Sequence, residues 1–117
     1  MNLNSIAKEL NLKLVTPNLD ELGSRDVRGG YVSDMLSDVL ANAPTEGLWV
    51  TTQVHLNVVA VAMHANVAGV IFASGREPNE AVIARAVQEE IPLFVSPETA
   101  FDIVGRLYQL GLRGRSA

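Results

Sequence analysis

Three short stretches hold most of the side chains able to do chemistry. They are Thr51-Thr52-Gln53-Val54-His55-Leu56-Asn57, Ser74-Gly75-Arg76-Glu77-Pro78-Asn79 and Ser96-Pro97-Glu98-Thr99. Each is rich in hydroxyls, amides or charge, and each follows an apolar run. Such donors beside a histidine and an arginine suit the holding of an anion. If the apolar runs are parallel strands, all three stretches leave the sheet along one edge, where ligands of open α/β sheets bind. Helix amino termini at that edge add unpaired N–H groups and the positive end of the helix dipole. The candidate ligand-binding set is therefore Thr51, Thr52, Gln53, His55, Asn57, Ser74, Gly75, Arg76, Ser96 and Thr99. Taken singly, each stretch is better explained by helix capping, which every helix requires. A site follows only from their convergence.

Other polar residues point to less. His55 and His64 lie nine apart, about two and a half helical turns, so one straight helix puts them on opposing faces and they share no metal. His64 reads as a helix-end cation or a hydrogen bonder, and no metal site is expected. Asp34 and Asp38 lie four apart on one helix face, with no nucleophile or base to work with. A capping Asp34 on a solvated face accounts for them. Asp20, Glu21 and Asp26 with Arg25 and Arg28 read as a solvated loop. There is no Gly-Lys-Ser or Gly-Lys-Thr of a phosphate-binding loop, and Ser74-Gly75-Arg76 offers one glycine where a dinucleotide fingerprint wants three. A general base at His55, supported by Thr52 or Ser74, is the only enzymatic arrangement available, and we read the chain as non-catalytic.

The elements that must position these residues alternate. Leu3, Ile6, Ala7 and Leu10 predict a first helix over residues 3–10, capped by Asn4 or Ser5. Leu12, Leu14 and Val15 predict a short strand closed by Pro17, and a polar loop runs from Pro17 to Arg28. Tyr31 and Val32 predict a strand, and Ser33 or Asp34 a cap for a helix through Met35, Leu36, Val39 and Leu40. From residue 48 the reading is regular. Strands fall at Leu48 to Thr52, Ala68 to Ala73 and Pro92 to Val95, with helices at Leu56 to Ala65 and Asn79 to Glu90. The amphipathic stripe of the 79–90 helix is Val82, Ile83, Ala86 and Val87. Ser96 is expected to cap a last helix with Pro97 at its first position, and Gly111 to end it. Its inner face is read as Phe101, Ile103, Val104, Leu107 and Tyr108. Strands with no polar alternation are buried on both faces. The expected fold is α/β: three layers, with a mostly parallel sheet of about five strands and helices on both faces. Trp49 belongs to the core or an interface. The 56–65 helix is apolar almost all round and needs cover on nearly every side, so a homodimer is expected.

Composition sets the outer bounds. A chain of 117 residues suits a single domain over 1–117, with a frayed tail at 112–117. With 48% apolar and 19% charged residues it is globular. The formal charge of −4 argues against a general nucleic-acid binder. With no cysteine the chain has no disulfide, no catalytic thiol and no thiolate ligands for an iron–sulfur cluster. Residues 1–14 lack the unbroken apolar core of a secretory signal, and no apolar run approaches the ~20 residues that span a bilayer. A cytoplasmic protein with no membrane contact is expected.

Several phrases carry a family resemblance. Gly30-Tyr31-Val32-Ser33-Asp34-Met35-Leu36-Ser37, then Leu48-Trp49-Val50-Thr51 and Asn57-Val58-Val59-Ala60-Val61-Ala62, resemble the DRTGG domain. Gly69-Val70-Ile71-Phe72, Pro78, Ile91-Pro92-Leu93-Phe94 and Thr99 continue the pattern, so the resemblance runs from about Leu14 to Gly111. Such domains look like the amino-terminal domain of HPr kinase/phosphorylase. They also occur beside CBS-domain pairs and as stand-alone, hydrogenase-associated proteins. The kinase reaction belongs to a separate P-loop domain that this sequence lacks. The resemblance implies an HPr kinase N-terminal-domain-like α/β fold and a regulatory or ligand-sensing role. The function expected is thus a non-catalytic module, without cofactor, that binds a small anionic or nucleotide-like ligand and acts on a partner enzyme. The alternative is a protein–protein accessory subunit of a redox enzyme such as an iron hydrogenase, with no small ligand.

Overall fold

The computed structural model describes residues 1–17 and 20–114. The loop reading at Asn18 and Leu19 and the frayed-tail reading at residues 115–117 lie outside them. The elements in chain order are α1 (Leu3–Glu9), β1 (Lys13–Leu14), a 3-10 turn (Asp20–Ser24), β2 (Gly29–Val32), α2 (Leu36–Asn42), β3 (Gly47–Thr51), α3 (Asn57–Ala65), β4 (Gly69–Phe72), α4 (Glu80–Gln88), β5 (Leu93–Val95) and α5 (Ala100–Gln109). They form one sheet in the order β1-β5-β4-β3-β2. β2 to β5 are parallel, and only β1 runs antiparallel, on β5.

The three layers follow from alternation along strands that are apolar throughout. Leu48, Val50, Ile71 and Phe94 point to one face and pack with Leu3, Ile6 and Leu10 of α1 and Ile103 and Leu107 of α5. Trp49, Val70, Phe72, Leu93 and Val95 point to the other face and pack with Val39 of α2, Val58, Val59 and Ala62 of α3 and Val82 and Ala86 of α4. Every residue of β3, β4 and β5 is buried, which is why none of them shows a polar alternation. Trp49 is fully buried, and its indole N–H donates to the Ser33 carbonyl at 2.9 Å. The cover that the apolar α3 calls for comes largely from α2 and α4 on either side, leaving Leu56 before it and Met63 exposed.

Several local expectations are corrected. α1 is capped by Asn2, whose side chain accepts from the Ser5 N–H. Neither Ser33 nor Asp34 caps α2; Met35 is its N-cap and makes no side-chain bond. α2 buries Val39 but leaves Met35 and Leu40 exposed. α5 starts at Ala100 with Thr99 as its cap, so Pro97 precedes the helix. Phe101 and Tyr108 are outside, 85% and 56% exposed. Ile103 and Leu107, four apart, occupy the inward stripe, and at 3.6 residues per turn Phe101 and Tyr108 share the opposite one. The chain is also held past Gly111: Leu112 is buried, and the Arg113 carbonyl accepts from the Gly30 N–H at 2.9 Å.

Gly47, at the start of β3, has no room for a side chain. A Cβ there would lie 2.8 Å from both the Cγ and the carbonyl oxygen of Pro44. Gly47→Ala is expected to cost about 1–3 kcal/mol, read as a lowered urea midpoint with an unchanged slope. An unchanged midpoint would show that the Pro44 turn yields freely.

Candidate functional site

The rim of the sheet is built by parallel strands that stop together and by junctions that bond sideways. The Ser33 N–H donates to the Val50 carbonyl at 3.2 Å, Ala73 to Thr51 at 2.9 Å and Ser96 to Phe72 at 3.0 Å. The Ser74 and Gly75 N–H groups donate to the carbonyls of Glu98 and Ser96 at 2.7 and 2.8 Å. The stretches after β3, β4 and β5 therefore do share one edge, and the stretch after β2 joins them.

Much of the hydroxyl content of that edge is already in use. Thr51 and Ser96 are buried. The Thr51 hydroxyl donates to Asp34 at 2.8 Å and accepts from the Gln53 N–H at 3.1 Å. The Thr52 hydroxyl and N–H both donate to Asp34, at 2.6 and 2.8 Å. Ser96 Oγ accepts from the Glu98 N–H, and Thr99 Oγ1 from the Asp102 N–H. At Thr51, Thr52, Ser96 and Thr99 the structural account therefore holds. The exposed remainder is a smaller shelf: His55 and Asn57 at the start of α3, Ser74, Gly75 and Arg76 after β4, and a half-buried Gln53 between them.

The residue that sequence reasoning assigned to a cap is Asp34. It stands after β2, a fourth junction, and its carboxylate clamps the end of β3. Desolvation pushes its carboxyl up. The N–H and hydroxyl of Thr52, the hydroxyl of Thr51 and the charge of Arg76 outweigh that and hold it below the ordinary value. The signal available in the sequence was its place immediately after an apolar strand. Asp38 is engaged as well, accepting from the Tyr31 hydroxyl at 2.7 Å and the Asn42 amide at 2.9 Å. Those two bonds, with Ser33, lower its carboxyl.

Ser74 and Gly75 both adopt left-handed backbone, with φ of 60° and 68°. Gly75 does so freely, whereas a serine there is strained by about 1–2 kcal/mol. The bonds to Glu98 and Ser96 hold the turn and consume its N–H groups, so it is not a phosphate cradle. Its effect is to present Ser74 and Arg76 outward. Glu98, whose carbonyl accepts from the Ser74 N–H, is paired with Arg106, and Glu77, next to Arg76 in the chain, faces Lys13 at 3.7 Å. Among the described residues Arg76 has no carboxylate within salt-bridge distance. α4 and α5 are capped by Asn79 and Thr99, while no side chain caps α3. An exposed arginine and a helix end with no side-chain cap thus lie on one rim; the Val58 and Val59 N–H groups there already donate to the His55 and Leu56 carbonyls, so the arginine is the group best able to hold a small anion. His55 and His64 are both exposed, and no group of three or more potential metal ligands occurs among the described residues.

The fold is similar to the CBS and DRTGG domains of the regulatory region of Clostridium perfringens pyrophosphatase, solved with the activator diadenosine tetraphosphate. The TM-score is 0.72 at 15% identity, over 89% of this chain and 44% of that one. The fold is DRTGG-like. At this identity the likeness concerns the fold alone, and this chain spans less than half the length of the region it matches. No family model and no curated protein matches the sequence. No helix among the described residues is long and apolar enough to cross a membrane.

Proposed function

We propose that this chain is a non-catalytic, cytoplasmic regulatory module that works as a homodimer. It binds a small anionic or nucleotide-like ligand at the carboxyl edge of the sheet and passes the bound state to a partner protein. The observation that carries this reading is the shelf itself: Arg76 projected by a left-handed turn, on the same rim as an amino-terminal end of α3 that no side chain caps. The likeness in fold to a regulatory region crystallised with a nucleotide activator supports a ligand-sensing role. Gln53, His55, Asn57 and Ser74 supply the further polar contacts. Thr51, Thr52, Ser96 and Thr99 act one step behind them by fixing the rim.

A thermal-shift series with nucleotides and phosphorylated metabolites tests this. A ligand at about a hundred times its dissociation constant adds about 2.7 kcal/mol of stability, a shift of several degrees in a domain of this size. Arg76→Ala is expected to weaken that ligand at least tenfold while leaving the unliganded melting temperature within a degree or two. A ligand that shifts the wild type and Arg76→Ala equally would overturn the shelf as its site. A complete panel with no shift would favour the accessory-subunit reading.

A further inference from the structure

Three of the exposed large apolar side chains among the described residues lie on the outer side of α5 and the adjoining edge strand, while Met35, Leu40, Leu56 and Met63 are exposed elsewhere. Phe101 is 85% exposed, Tyr108 56% and Val32 48%. Between them lies an open pit of about 390 Å³, lined by Val32, Ala100, Phe101, Val104, Gly105 and Tyr108. It runs on into a cleft of about 260 Å³ between α5 and β2 that ends at Arg113 and Gly114. The floor of the pit is bare because Gly105 sits mid-helix, and a Cβ there would touch nothing within 4 Å. A helix-interior glycine costs about 1 kcal/mol relative to alanine. Nothing among the described residues requires one at this place.

We propose that this surface is the interface of a symmetric homodimer, in which a two-fold axis through the pit sets α5 antiparallel to its copy. An isologous contact has to be complementary to itself. This patch carries both halves of such a contact, a projecting ring and an empty pit, on one helix face. With the axis between Phe101 and Tyr108, Phe101 of each copy meets Tyr108 of the other, a pairing that aromatic rings favour. The bare Gly105 lets the two helices approach. Charge agrees with the same placement. Arg113 is fixed over the Tyr108 ring at 3.6 Å and donates to the Tyr108 and Leu112 carbonyls. Among the described residues neither Arg113 nor Asp102, the neighbour of Phe101, has a salt-bridge partner. Bringing Phe101 to the other copy's Tyr108 also brings Asp102 toward the other copy's Arg113. This gives the proposed homodimer its surface and is independent of the ligand reading.

Sedimentation velocity over a wide concentration range tests it on the full chain. The wild type is expected to dimerise. Phe101→Asp is expected to raise the dissociation constant at least tenfold with an unchanged far-ultraviolet spectrum, because exposed Phe101 supports no core. Met63→Asp, on α3 across the sheet, is expected to change nothing. Asp102→Arg should weaken the dimer, and Asp102→Arg with Arg113→Asp should restore it. The absence of cysteine adds a second readout. Gly105→Cys is expected to be joined into a dimer by a short bifunctional thiol reagent, and Met63→Cys is not. A dimer unaffected by Phe101→Asp, or cross-linked through position 63 and not 105, would overturn the surface and leave the dimer standing. A monomeric wild type would overturn both, without touching the ligand shift.

Discussion

Trp49→Ala is expected to destabilise the chain by about 3–5 kcal/mol, enough to leave much of it unfolded at 37 °C. The side chain is wholly buried among Val39, Val58, Phe72 and their neighbours, so its removal leaves a cavity that this packed layer cannot close. It also removes the one indole donor to Ser33, the residue before Asp34. Trp49→Phe separates the two effects. It keeps most of the apolar volume and deletes only the bond, for an expected loss of about 1–2 kcal/mol. Circular dichroism in urea is the suitable readout, since Trp49 is the only tryptophan and its fluorescence leaves with it. Equal losses in the two variants would show that the indole bond, and not packing, dominates.

Asp34→Ala carries the second large effect. It strips the buried Thr51 hydroxyl and the Thr52 N–H of their acceptor, an expected cost of about 1–3 kcal/mol at neutral pH. The sign of the pH dependence follows from the lowered carboxyl. A group bound more weakly to protons when folded contributes stability above its unfolded value, and that contribution is lost as pH falls through the folded value. The gap between wild type and Asp34→Ala is therefore expected to stay constant from about pH 5 upward and to shrink below about pH 4. Asp34→Asn keeps an acceptor without the charge and should show a smaller loss that shrinks over the same acid range. A gap that persists unchanged into acid would remove the carboxylate from this account. Weaker ligand binding in Asp34→Ala would reflect a loosened rim, because Asp34 positions Thr51 and Thr52 and is not part of the proposed anion shelf.

The particular errors of sequence reading share one cause. Ser96-Pro97 reads as a helix start because a hydroxyl followed by proline is a good local cap. The structure uses Ser96 in a buried turn and begins α5 at Thr99, three residues later. Asp34 before an apolar periodic stretch reads as a cap for the same reason, yet its carboxylate is taken by two threonines 17 and 18 residues away. Phe101 and Tyr108 read as core because of their type. Only the geometry of α5 against β2 and β3 shows which stripe faces inward.

The layers, the parallel run of β3, β4 and β5 and the edge at which their polar junctions gather were legible in the amino-acid sequence. Apolar runs without alternation admit few other solutions once both faces have to be buried. Which polar groups at that edge are spent and which are open emerges in the folded chain alone. Hydrogen bonds between residues far apart along the chain depend on where strands end and how far side chains reach. That information is written in no local pattern, so the hydroxyls of Thr51, Thr52, Ser96 and Thr99 are engaged within the rim, with Arg76, His55 and Asn57 left exposed.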